Sequence, residues 1–487
     1  MRLRCLIRSL FIALLCAGST SAAHASHALG ADLTYEYVGT ANNPNQYRVK
    51  ARLVRDATSL VDDPQITLTC GMNECGTALP GSFTTTLFRT SQVPMPNGCT
   101  GAGGIYYEVA ILEGLVQLPP ARWTLSLNIQ NRTRGVVNIA QSDMMSLYVT
   151  AVLDNTSVPG STSPRVINSS PQFTTDQLIQ LSNAQAQQRY SLSAFDAEGD
   201  SLVYQLVQPL TNPTTTVACG QATVGAVAPH FQLNAATGQL LTVAGPTQLG
   251  RYALAARVDE YRRIGGSWRH IGSITRDVTY LVQLGNNQLP TFTRVATVGN
   301  PTGQLLNQTI RANPGQTLSL ALTAIDPDAG QRLRLLSKVD GIVPGATFQD
   351  LGNGQGRLTW QVPATQSLGR YVLTVTVVDD ACPVPGAEVL TVPVLVTQQA
   401  LAAQLGRQPL AQRPFPMPFQ EEVQFQLAGQ GRQAVVISDE LGRTVAQLLS
   451  AADGRVLWRP AAGVVAGLYL ARNQMGTQVA RLAYAGR

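Results

Sequence analysis

Two acidic turns hold the residues whose types and spacing best suit chemistry in this sequence. Asp196, Glu198 and Asp200 sit at alternate positions in Ala194-Phe195-Asp196-Ala197-Glu198-Gly199-Asp200-Ser201-Leu202, and Asp326 and Asp328 do the same in Ala324-Ile325-Asp326-Pro327-Asp328-Ala329-Gly330. Carboxylates so placed offer hard oxygen ligands, and calcium takes about six to eight of these from side chains, backbone carbonyls and water. Neither turn has the full EF-hand loop, so the pattern suits an acidic junction between modules better than a self-contained calcium loop. Asp259 and Glu260, or Asp379 and Asp380, complete such a set only if the fold brings them close. The competing reading is that Asp and Gly simply make the turn and solvate it.

Other chemistry has little to work with. His27, His230 and His270 are the histidines left once a leader is removed, and none forms an H-E-x-x-H pair. There is no G-x-S-x-G elbow and no P-loop. Gly352-Asn353-Gly354-Gln355-Gly356 has the wrong glycine spacing for a phosphate loop and reads as a β-turn between two strands. Aromatic residues make up only 6%, too few for a broad stacking platform. Trp123, Trp268, Trp360 and Trp458 all lie in or beside strand-like runs, where core packing is the default. Tyr261-Arg262-Arg263 and Trp268-Arg269-His270 flank Gly265-Gly266 and read as a hairpin tip, the one basic-aromatic patch that suits a binding loop. No catalytic residue and no organic cofactor is expected; calcium at the acidic turns is the one cofactor the residues suggest.

The cysteines are read with the oxidising compartment that the leader implies. Cys5 and Cys16 belong to the leader, Cys70, Cys75 and Cys99 cluster, and Cys219 and Cys382 stand alone. A disulfide within the cluster is the expectation, with its pairing open. A zinc site there lacks the usual ligand spacing.

The leader itself is legible. Arg2, Arg4 and Arg8 precede an apolar run from Leu10 to Ala17, and Ala23-His24-Ala25 forms the small-residue site for cleavage between Ala25 and Ser26. That run is too short for a membrane anchor, and no later segment is apolar enough, so no membrane span is expected in the mature chain. The net charge of +6 comes from scattered Arg, which serves solubility rather than nucleic-acid binding.

At 487 residues, with 13% charged and 44% hydrophobic residues, the chain is expected to hold about three or four folded modules. Thr34 to Val38, Tyr47 to Val54, Trp123 to Ile129 and Ser146 to Val152 alternate apolar and polar residues, as half-buried antiparallel strands do. Beyond Pro164 the chain repeats itself. Each acidic turn is followed by strand-like runs and then by Leu249-Gly250-Arg251-Tyr252 or Leu368-Gly369-Arg370-Tyr371. The expected fold class is therefore all-β: tandem immunoglobulin-like or cadherin-like β-sandwiches plus a small C-terminal β-sandwich. The expected modules are a signal peptide (1–25), an N-terminal β domain (26–165), two repeats (166–286 and 287–397), a Gln- and Ala-rich linker (398–411) and a C-terminal module (412–487).

That last module resembles the C-terminal sorting domain of the type IX secretion system of Bacteroidetes-type bacteria. The resemblance rests on Pro416-Met417-Pro418-Phe419, Ala434 to Asp439 leading into Gly442-Arg443, and Ala466-Gly467-Leu468-Tyr469-Leu470-Ala471-Arg472. Gly442 and Gly467 read as turn positions that need a permissive backbone. The front of the chain resembles PKD-domain or gliding-motility-associated surface proteins of the same bacteria. The matching residues include Ser26 to Tyr35, Trp123, Asn131-Arg132, Asn138-Ile139, Asn168 to Phe173 and Asp379 to Pro383. The cysteines that group would place around Trp123 and Asn131-Arg132 are absent. Together these resemblances imply a secreted or outer-membrane surface protein whose partners are the type IX machinery and an extracellular ligand. The expected role is structural or adhesive rather than enzymatic. A secreted carbohydrate-binding module or hydrolase is the alternative.

Overall fold

The computed structural model describes residues 28–57, 64–72, 80–95, 107–157, 165–175, 179–182, 187–212, 222–243, 248–283, 287–300, 303, 305–382, 385–398, 410–429, 431–474 and 478–486. The leader with Ala25 and Ser26, the cysteines Cys75, Cys99 and Cys219, and most of the expected linker lie outside these residues. The architecture is all-β, as expected. Among the described residues no helix is long and apolar enough to cross a membrane, which says nothing of spanning by strands.

The first module contributes β1 (Ala28–Tyr37), β2 (Gln46–Asp56), β3 (Gln65–Gly71), β4 (Phe83–Met95), β5 (Tyr107–Gln117), β6 (Arg122–Ile129) and β7 (Leu147–Asp154). The first repeat contributes β8 (Gln172–Phe173), β9 (Gln180–Ser182), β10 (Arg189–Ser191), β11 (Ala194–Phe195), β12 (Ser201–Val207), β13 (Phe231–Leu233), β14 (Gln239–Thr242), β15 (Gly250–Ile264) and β16 (Ser267–Gln283).

These two modules are not separate. β16 pairs along one edge with β15, and along the other with β7 over Gly272–Ile274, β1 over Arg276–Val278 and β9 over Leu281–Gln283. The strands β1, β2, β5, β4, β3, β6, β7 and β16 thus hydrogen-bond in a closed ring within one 11-stranded sheet. A boundary at 165/166 divides residues that share this sheet. Closure leaves no free edge on this ring, and its interior is filled by Leu33, Tyr47, Val49, Leu68, Leu125, Leu127 and Val149, each essentially inaccessible. It also explains why the start of the first strand is buried throughout, ahead of the alternating Thr34 to Tyr37. Residues Ala28–Leu33 are buried on both faces, because the first repeat covers the side that would otherwise face water.

The second repeat is a two-sheet sandwich. β17 (Thr291–Thr297), β19 (Thr317–Ile325), β22 (Gln355–Gln361) and β21 (Ala346–Gly352) form one sheet; β18 (Ile310–Ala312), β24 (Ala387–Val396), β23 (Gly369–Val378) and β20 (Arg334–Leu336) form the other. Here β19 alternates, with Leu318, Leu320, Leu322 and Ala324 inward. Gly352-Asn353-Gly354 turns between β21 and β22 with positive φ throughout, as a hairpin connection requires.

The C-terminal module has its own core around Phe419, Phe425, Ile437, Trp458, Tyr469 and Leu482. Its two sheets are β25 (Gln412–Phe415), β26 (Val423–Gln426) and β29 (Arg455–Trp458), and β28 (Thr444–Leu449), β27 (Ala434–Asp439), β30 (Gly467–Asn473) and β31 (Val479–Tyr484).

One device recurs in all three later modules. Tyr252 donates to the Gln248 carbonyl at 2.7 Å, Tyr371 to Ser367 at 2.7 Å and Tyr469 to Val465 at 2.6 Å. Each hydroxyl reaches four residues back as the chain enters a strand, which is the tyrosine corner of immunoglobulin-like sandwiches. The repeated Leu-Gly-Arg-Tyr of the sequence is this corner.

Candidate functional site: a buried acidic junction

Asp196 follows β11, and Asp200 opens toward β12 after a tight turn. Gly199 makes that turn with φ of 81°, a region L side chains rarely adopt, and a Cβ there would lie 2.5 Å from the Tyr371 hydroxyl. The Asp196 carboxylate accepts the Asp200 backbone N–H at 2.8 Å, so the turn is tied by its own side chain. Glu260 arrives from β15, which runs antiparallel to β12 with Leu202 opposite Glu260. Strand alternation sends Glu260 and Asp259 to opposite faces. Only Glu260 joins the turn; Asp259 binds Gln205, Arg257 and His270 on the other side.

One carboxylate oxygen each from Asp196, Asp200 and Glu260 lies within 4.8 Å of the others, and all three residues are buried. Arg262 donates to both oxygens of Asp200 at 2.8 and 2.5 Å and to Asn168 at 2.6 Å. Asn168 in turn donates to Glu260 at 2.8 Å. Glu198 accepts the Ser169 backbone N–H at 3.0 Å. Three oxygens are left with no hydrogen-bond partner in a buried position: Asp196 Oδ2, Glu198 Oε2 and Glu260 Oε1. Burial raises the Asp196 carboxyl well above the usual carboxylate range, and the Asp200 and Glu198 charges push the same way. Glu260 is raised by burial and then by Asp196 and Asp200. Glu198 is raised by burial.

Three modules meet at this turn. Phe195 inserts into the core of the second repeat beside Trp360 and Tyr371, and Gln366 donates to the Ala197 carbonyl at 3.2 Å. On the first module's side, Tyr35 lies beside Asn168, and its backbone N–H donates to Ser170 at 2.9 Å.

The second acidic turn is built differently. Asp326 accepts the Asp328 N–H, and Asp328 is occupied by Gln288 and Gln331. Asp379 binds Asn287 and two backbone N–H groups. Asp326 Oδ2 and Gln331 Oε1 lack partners, but the turn is half-exposed, and among the described residues no three acidic groups converge there.

Several other expectations change in the structure. The hairpin tip forms as read, with Gly265-Gly266 at φ of 60° and 88°, but its basic residues are committed. Arg262 turns inward to Asp200, and Arg269 holds Asp154 at 2.8 Å. Arg263 and Trp268 remain on the surface side. Trp123, Trp360 and Trp458 are core residues, whereas Trp268, opposite Arg263 beside the hairpin tip, is 51% exposed. Trp268 lines a groove of about 800 Å³ together with Leu202, Val203, Arg263, Glu440 and Leu468. Cys70 carries a free thiol buried inside the first module, so it is withdrawn from the expected disulfide; burial pushes the thiol up to about 12. Cys382, read as solitary, is disulfide-bonded, with its partner outside the described residues.

In the C-terminal module Phe419 is buried, Gly442 has φ of 82° in a turn, and Arg443 binds Asp439 at 2.7 Å. Pro416 and Pro418 both follow cis peptide bonds. Gly467 is not a turn glycine: it opens β30 with no positive φ, and no atom crowds its Cβ position.

The fold and the site define a multi-module β-sandwich protein with a buried acidic junction. No family model matches the chain, and no curated protein matches it. Among solved structures, Drosophila N-cadherin EC1-4 is similar at 12% identity over 64% of this chain and 73% of that chain, with a TM-score of 0.18. The N-terminal four Ig domains of Dscam1 isoform 4.44 are similar at 11% identity over 82% and 99%, also at 0.18. Scores this low carry no argument about function. The all-β assignment stands on the chain's own strands and sheets.

Proposed function

We propose that this chain is an exported, non-enzymatic structural or adhesion protein, delivered by type IX secretion and then released or held at the cell surface. One observation carries the reading. The 17-residue strand of the first repeat's long hairpin closes the first module's ring by pairing with β7 and β1, and Phe195 keys that repeat into the next. Modules sharing a sheet and a core move as one body, which suits a scaffold that displays loops and transmits load. The C-terminal module supports the delivery route by its contrast. It has a separate core, and the Arg370–Glu440 ion pair that joins it to the repeats is more than half exposed. Such pairs are worth about 0–1 kcal/mol, a weak tether suited to a module that is later removed.

Carbohydrate binding is the second reading. It is favoured by the exposed Trp268 indole beside the groove, since an uncovered aromatic face next to polar groups suits a sugar ring.

The test is intact-mass analysis of the protein from its native host, with cell surface and culture medium measured separately. A species beginning at Ser26 and ending before about residue 413 is expected from the sorting-domain resemblance and the leader pattern. A species that keeps Arg487 overturns the delivery route. Saturable polysaccharide binding lost in Trp268→Ala would favour the second reading, and turnover of ester, peptide or glycoside substrates would overturn both.

A further inference from the structure

We propose that Asp196, Asp200 and Glu260 bind one calcium ion that locks together the three modules meeting at this turn. The argument begins with charge. Four carboxyl groups, those of Asp196, Glu198, Asp200 and Glu260, gather at a buried junction where, among the described residues, Arg262 is the one cationic side chain hydrogen-bonded to them. A buried carboxylate is stable only when paired, hydrogen-bonded or bound to a metal. Here Asp196, 3% exposed, and Glu260, fully buried, each keep one oxygen with no protein partner. These are unused lone pairs at the centre of the acidic set, and an ion-free interior would expose them to one another's repulsion.

Size and donor type select the ion. Every ligand is a carboxylate oxygen, with no His or Cys in the set, which favours a hard cation over zinc or copper. Oxygens on opposite sides of calcium, bound at about 2.3–2.6 Å each, stand about 4.6–5.2 Å apart. The three oxygens lie within 4.8 Å of one another, close enough for one such ion to reach all of them. Magnesium demands near-ideal octahedral geometry and keeps several of its waters, so a set of buried carboxylates suits calcium better. Glu198 lies close enough for its charge to act on Asp196, adding to the negative charge of the set.

Position gives the ion its role. Its ligands come from the β11–β12 turn and from β15, and that turn also carries Phe195 into the second repeat, while Asn168 links Glu260 to the chain segment leaving the first module. An ion bound here is therefore structural, and it acts where Ser169, Gln366 and Tyr371 already fasten the turn to its neighbours.

The test uses the full chain stripped with chelator and titrated with calcium chloride, by isothermal calorimetry and by thermal melting. One ion per chain and a rise in Tm are expected, with magnesium chloride at equal concentration giving a smaller rise. Asp196→Asn with Glu260→Gln keeps shape while removing two charges. This variant should bind no calcium and should melt higher than wild type in chelator, because the repulsion it removes is then uncompensated. Asp326→Asn should leave the stoichiometry unchanged. Absence of both heat and Tm shift in wild type at millimolar calcium overturns the proposal, and that readout stands even if the double variant does not fold. Undiminished calcium binding by a folded double variant overturns it equally.

Discussion

Replacing Arg132 by Met should destabilise the first module severely, and the structure says by how much. Arg132 lies in the segment between β6 and β7, and its guanidinium grips Asp277 of β16 in a two-pronged pair at 2.9 and 2.6 Å. The two side chains are 3% and 4% exposed. The same guanidinium also donates to the Ser146 and Leu210 carbonyls at 3.0 and 2.8 Å. It therefore fastens the ring of strands to the strand that closes it. Removing one member of a buried pair leaves the other charge uncompensated, at a cost of about 3–5 kcal/mol. Replacing both, as Arg132→Met with Asp277→Leu, removes the stranded charge and leaves only the two carbonyls short of a donor, at about 1–3 kcal/mol. The double variant should thus be more stable than Arg132→Met alone. Urea unfolding followed by Trp fluorescence, analysed as a double-mutant cycle, measures this directly. A loss under about 1 kcal/mol for Arg132→Met, or losses that simply add, would refute the claim that this pair closes the ring.

Three further outcomes follow from single residues. Gly30→Ala should cost about 1–3 kcal/mol, because its Cβ would lie 2.7–2.9 Å from Val278 and the Asp277 carbonyl where β1 meets β16; unchanged urea stability would show that the two strands are not so close. His230 is buried against Tyr280 at 2.7 Å, and burial lowers its pKa below the ordinary value of 6.5. The unfolded chain then binds the proton more readily, so His230 supports stability above pH 6.5 that is lost as pH falls through its folded pKa; His230→Gln should flatten the stability profile in that window. Cys70 should resist alkylation at neutral pH in the native protein and react once the protein is denatured, read by mass spectrometry; native labelling at Cys70 would contradict its burial.

Much of the architecture was legible in local sequence, because local chemistry dictates it. Gly265-Gly266 announces a hairpin, since two consecutive positive-φ positions are easy for glycine and strained for other residues. The Leu-Gly-Arg-Tyr repeats mark strand entries whose tyrosine hydroxyl bonds back along its own chain. The acidic turns announce themselves by composition, and the Asp196–Asp200 bond is local as well. What was not legible depends on long-range pairing. The sequence offers Asp259 and Glu260 equally, and only the register of β15 on β12 decides that Glu260 faces the turn. Arg262 and Arg269 read as surface charges at a hairpin tip, and only tertiary placement brings acidic groups to meet them.

The amino-acid sequence by itself determined the all-β class, the turns, the repeated strand entries and the carboxylates available for an ion. Those features are set by backbone preference, alternation and hydrogen bonds reaching only a few residues. The tertiary structure alone decided that β16 closes the first module's ring, that Cys70 is sealed inside it, and that Asp196, Asp200 and Glu260 converge at a three-module junction. Each of these needs residues dozens to hundreds of positions apart to meet. The register that brings them together is chosen by the whole buried surface, not by any short segment.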